Sequence, residues 1–103
     1  MKPGLHAALL ARAKGVCECG CKKPVPPSEV DHFFGRAKAP ETMETCWVLR
    51  VACHADKTAN RPTAALWLMR FIAHAGRHGY AYAAERAQSK LEWVTAKGVV
   101  ANG

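Results

Sequence analysis

The chain has 103 residues, half of them apolar, and 15 Lys and Arg against 8 Asp and Glu give it a net charge of +7. A single domain of this size buries only about 60–70% of the surface its unfolded chain exposes, so its core is thin and gains from a staple. No apolar run approaches the roughly 18 residues of a membrane span, and Met1-Lys2-Pro3 leads into no signal-peptide core; both point away from a membrane and toward a reducing, cytoplasmic setting.

Leu5 to Lys14 predicts a short helix with Leu5, Leu9 and Leu10 on one side and Arg12 and Lys14 near its end, where positive charge suits the helix dipole. Gly15 stops it. Cys17-Glu18-Cys19-Gly20-Cys21-Lys22-Lys23 reads as a tight knuckle, followed by the stiff Pro24-Val25-Pro26-Pro27. Ser28 to Phe34 predicts a strand ending at Gly35. Arg36 to Thr45 has no period and contains Pro40, which makes it a loop. Cys46 to Val51 predicts a short apolar strand, and Ala52 to Asn60 a helix with His54 in its first turn, closed by Pro62.

From Thr63 onward the period becomes helical. Ala64, Leu68, Phe71, Ile72 and Ala75 form one stripe, Gly76 and Gly79 break the run, and Ala84, Ala87, Leu91 and Val94 form a second. The expected fold is therefore a single α+β domain over 1–103. A strand–loop–strand–helix core with its knuckle, residues 17–60, is flanked by an N-terminal helix and a C-terminal helical hairpin over 63–97. Trp67, Trp93, Tyr80 and Tyr82 are expected in the core rather than stacked on bases. His74 and His78, four apart with no acid or cysteine nearby in sequence, are expected to face solvent or bond backbone.

The chemistry concentrates in the middle of the chain. Asp31 and His32 are adjacent on a strand, so they point to opposite faces unless the strand ends or twists there, and Phe33-Phe34-Gly35 supplies such an end. If Asp31 binds a hard cation through oxygen, His32 stays free to take a proton from water, and His54 supplies a second ligand. Two protein ligands leave positions open for water and phosphate oxygens, as a catalytic rather than a structural metal requires. Arg50, Lys57 and Arg61 lie close by in sequence to clamp neighbouring phosphates, and the net charge makes DNA the first partner to consider. Arg36, Lys38 and the Arg and Lys residues of the C-terminal helices read equally as a DNA track or as a wet helix face.

Val30-Asp31-His32, Thr45-Cys46-Trp47-Val48-Leu49 and Cys53-His54-Ala55-Asp56-Lys57-Thr58 resemble the HNH endonucleases, in particular the small phage and prophage members. The resemblance covers about residues 17–60. It implies a ββα-metal (His-Me finger) fold that hydrolyses DNA phosphodiesters, with His32 as general base and Asp31 and His54 as ligands of Mg²⁺ or Mn²⁺. It also implies a nicking enzyme linked to the DNA-packaging (terminase) machinery. The family's middle asparagine, which orients the catalytic histidine, falls on Thr45, so a threonine hydroxyl or another group must make that contact.

Many relatives bind a structural zinc through two Cys-x-x-Cys pairs, and the second pair here would be Arg50-x-x-Cys53, one cysteine short. Zinc would instead draw on Cys17, Cys19 or Cys21 together with Cys53, with Cys46 as a further candidate. The plainer alternative makes Cys46 and Cys53 buried thiols and the knuckle a simple turn. Two functions of different class thus stand: a metal-dependent endonuclease, and a non-catalytic zinc-stapled module that binds DNA or a packaging protein. Oligomeric state is not legible in the sequence.

Overall fold

The computed structural model describes residues 2–59 and 64–96. Among these the chain is a mixed α+β protein with four helices and a two-stranded antiparallel sheet. The order is α1 (Leu5–Ala13), β1 (Ser28–His32), β2 (Cys46–Arg50), α2 (Val51–Ala59), α3 (Ala64–His78) and α4 (Ala81–Ala96). Two compact units, Met1–His54 and Ala55–Gly103, divide within α2.

In the first unit the Ala- and Leu-rich sequence of α1 favours helix, and Lys14 ends it in the left-handed region at φ 53°, its N–H donating to the Leu10 carbonyl. Leu5, Leu9 and Ala13, spaced by four, form the inward stripe, with Leu9 and Ala13 buried and Leu5 partly so. Leu9 and Ala13 pack with Cys46 and Val48, and Leu5, Val25, Val30 and Met43 close the cluster. Leu10, expected on that side, is exposed; it lies about 100° round the helix from Leu9.

The strands pair with Asp31 opposite Trp47 and His32 opposite Cys46. Cys46 and Val48 point to the α1 side of the sheet and Trp47 and Leu49 to the other. All four are buried, which makes β2 the spine of the unit. β1 stops at His32, two residues short of expectation, because Phe33 and Phe34 turn away. The N–H of Phe33 donates to the Thr45 carbonyl and that of Gly35 to the His32 carbonyl, with Gly35 at φ 91°. α2 begins at Val51 with no connector after β2, so Cys53 and His54 fall on its first turn.

A buried ion pair ties these pieces together. Arg12 donates through Nε and Nη2 to the Glu18 carboxylate at 2.8 and 2.9 Å, and to the carbonyls of Cys46 and Met43. Glu18 in turn accepts from the Val48 N–H at 2.9 Å and donates its own N–H to the Val48 carbonyl. One guanidinium thus joins α1, the knuckle, the loop before β2, and β2 itself. In the sequence alone, Arg12 points only to the helix dipole.

In the second unit α3 and α4 form the expected hairpin. Gly79, at φ 71°, donates to the Gly76 carbonyl and Tyr80 donates to that of Ala75, a Schellman closure of α3. Gly76 does not break the helix as expected. The break needs the positive φ that Gly79 supplies. The buried residues are Ala65, Trp67, Leu68, Phe71, His74 and Ala75 on α3 and Ala83, Ala87 and Val94 on α4. Trp67 is core and donates from Nε1 to Asp56 at 2.9 Å, whereas Trp93 and Tyr82 are exposed, against expectation. His74 is also buried rather than solvent-facing, its ring edge-on to that of His78 at 4.8 Å.

Candidate functional site

Register places Glu29 and Asp31 on one face of β1 and Ser28, Val30 and His32 on the other. Asp31 is 5% exposed, and a carboxylate so buried needs partners. The indole of Trp47, directly across the strand pair, donates from Nε1 to Asp31 Oδ2 at 2.8 Å. The other oxygen, Oδ1, stands 3.2 Å from His54 Nε2. His54 Nδ1 in turn faces Glu29 Oε1 at 2.8 Å. The imidazole of α2 therefore bridges two carboxylates that the alternation of β1 sets two residues apart.

His32 Nε2 faces Glu41 Oε2 at 2.5 Å. That contact holds the Glu41 carboxyl below its usual range and leaves His32 Nδ1 as the ring's second nitrogen. His32, His54 and Glu29 line one open cleft of about 430 Å³ together with Arg36 from the loop and His6 from α1. Two imidazoles, a carboxylate and a guanidinium, groups able to move a proton, ligate a cation and meet a phosphate, thus share one space. Glu29, Glu41 and His6 carried no signal in the sequence, since nothing local pairs them with the histidines.

Thr45 makes no hydrogen bond to His32. Its hydroxyl donates to the Pro40 carbonyl and accepts from the Thr42 N–H at 3.1 Å, while Thr42 Oγ1 accepts the N–H groups of Glu44 and Thr45. These two threonines buckle the loop that carries Glu41. The side chain that meets His32 is accordingly that of Glu41, and the Thr45 hydroxyl bonds within the loop.

Four of the five cysteines converge. The sulfurs of Cys17, Cys19, Cys21 and Cys53 lie within 4.8 Å of one another, with Cys19–Cys53 and Cys21–Cys53 both at 3.8 Å. A tetrahedral Zn²⁺ with bonds of about 2.3 Å sets its sulfurs about 3.8 Å apart, so this cluster could hold a metal such as zinc. Burial pushes the Cys17 and Cys19 thiols up. Burial also acts to raise Cys21, but the Lys23 N–H and the neighbouring thiols outweigh it and bring Cys21 down to about 7.

Cys46, the further zinc candidate, is absent from the cluster. Its thiol is fully buried among Leu9, Ala13 and Val48, and burial raises its pKa. The cysteine missing from the expected second pair is replaced by Cys21, the third member of the knuckle. Arg50 is drawn to the same cluster: its Nε lies 3.5 Å from Cys53 Sγ and its N–H donates to Cys17 Sγ at 3.3 Å. The hydrogen bond to Cys53 raises the guanidinium pKa further, and the cluster, rather than the cleft, occupies this side chain. Lys57 lies on α2 one turn beyond Cys53 and His54, and Arg61 lies outside the described residues.

Compared with family models, curated proteins and solved structures, the chain matches none.

Proposed function

We propose that this protein is a metal-dependent DNA endonuclease of the HNH type, its β1–β2–α2 unit a ββα-metal fold stapled by zinc at the four cysteines. The observation that carries the reading is the approach of Asp31 Oδ1 to His54 Nε2 at 3.2 Å. Two neighbouring ligands of Mg²⁺ or Mn²⁺, each about 2.1 Å from the ion, stand about 3 Å apart. Asp31 and His54 fit such an ion, which when bound would offset charge on the scissile phosphate and the leaving oxygen.

The rest falls to the chain's own side chains. His32, held at Nε2 by Glu41, accepts a proton from water at Nδ1. Trp47 fixes Asp31 so that Oδ1 stays turned toward His54. Arg36, in the same cleft, contacts a phosphate of the strand. One such site attacks one phosphodiester, so a single encounter nicks one strand.

Supercoiled plasmid incubated with Mn²⁺ or Mg²⁺ tests this. Nicked circles are expected, with the rate falling about 10²–10⁴-fold in His32→Ala, the usual worth of a positioned base. A plasmid left equally intact by both proteins under either metal would favour a zinc-stapled module without catalysis, a role that needs the cysteine cluster alone.

A further inference from the structure

Glu29 stands outside every motif in the sequence, yet it stands closer to His54 than Asp31 does, at 2.8 against 3.2 Å. We infer that Glu29 is a positioning residue for the metal-binding histidine, an inference that rests on the endonuclease reading of the site. His54 can offer Nε2 to a cation only if its ring proton sits on Nδ1 and the ring faces Asp31. Which nitrogen carries the proton is set by what the other nitrogen meets. Here Nδ1 meets Glu29 Oε1 at 2.8 Å. The carboxylate accepts the Nδ1–H, fixes the tautomer and leaves the Nε2 lone pair directed at the Asp31 side.

The strand supplies this geometry without a special turn. Residues two apart on a strand share a face and stand about 7 Å apart, and the imidazole fills the gap between their carboxylates. Glu29 is not a third ligand, because it engages the ring nitrogen turned away from Asp31. It also has little to do with folding. Its side chain is 52% exposed, so shortening it removes little buried surface, and that of His54 is 29% exposed. A carboxylate behind a ligating histidine typically contributes 10–100-fold in metal affinity.

Titrating the full chain with Mn²⁺, read by loss of the free-ion electron paramagnetic resonance signal, tests the inference without recourse to activity. Mn²⁺ prefers oxygen and nitrogen ligands and leaves the thiols aside. Binding is expected in the wild type and its loss in Asp31→Ala. Glu29→Ala is expected to weaken Mn²⁺ binding about 10–100-fold, and Glu29→Gln, which keeps an acceptor without the charge, by less than Glu29→Ala. The thermal midpoints of both Glu29 variants should match the wild type. If Asp31→Ala abolishes binding while Glu29→Ala binds as tightly as the wild type, Glu29 has no positioning role. A loss of affinity that tracks a falling midpoint would make the role structural and overturn the inference. If wild type and Asp31→Ala bind Mn²⁺ alike, the metal site itself is wrong and the inference falls with it.

Discussion

At the scale of single residues, the cleft is organised by polar groups that each hold another in place. Trp47 is fully buried, and its indole N–H is spent on Asp31, itself 5% exposed. Removing that donor leaves a buried carboxylate short of a partner, which costs about 1–3 kcal/mol, more for a charged group. Trp47→Phe is therefore expected to lower the unfolding free energy by at least that amount, measured by urea denaturation; an unchanged midpoint would show that Asp31 draws nothing from the indole. Asp31, His32 and His54 are legible in the sequence because their spacing forms a recognisable pattern. Glu29, Glu41 and the Trp47 contact are not, because they arise from strand register and from a loop buckle closed by Thr42 and Thr45. Cys46 and Cys53 look alike in sequence. Only the alternation of β2, which turns Cys46 toward Leu9, separates a core thiol from one in the cluster.

Among elements, the unit depends on how the knuckle, β2 and the start of α2 are joined. The cysteine cluster bridges the knuckle to α2, and the Arg12–Glu18 pair bridges α1 and the knuckle to β2. A zinc at such a site contributes folding free energy on the order of 10 kcal/mol in small modules, which is large against so thin a core. Stripping the protein with a strong chelator is expected to lower its thermal midpoint sharply, and Cys53→Ser to do the same without chelator. Equal midpoints with and without chelator, in protein shown to have carried zinc, would leave the cluster as four packed thiols. The order of strands and helices is legible from periodicity, with boundaries off by one or two residues. The misread faces have physical causes. Leu10 shares apolar character with Leu9 but not its direction, and Gly76 fits within a helix whose packing offsets the cost of glycine, about 1 kcal/mol. Trp93 is aromatic on an amphipathic helix and yet exposed, for which the structure offers no explanation.

For the whole molecule, the surplus of seven positive charges is the property most directly visible in the sequence. Binding to duplex DNA should weaken as salt rises, with a log–log slope of about −0.9 for each phosphate neutralised. An affinity flat between 50 and 200 mM salt, concentrations across which a protein with several phosphate contacts loses orders of magnitude, would make the charge incidental. No helix among the described residues is long and apolar enough to cross a membrane. In the proposed function, charge would attract the strand, a zinc at the cluster would hold the fold, and the histidines with their carboxylates would do the chemistry. The sharpest test of that division is an anomalous difference map from crystals soaked in Mn²⁺. A peak within about 2.0–2.3 Å of both Asp31 Oδ1 and His54 Nε2, with the His32 ring unligated, is the expected result. A map with no density between those two side chains at saturating Mn²⁺, or with the ion bound to His32 instead, would contradict it.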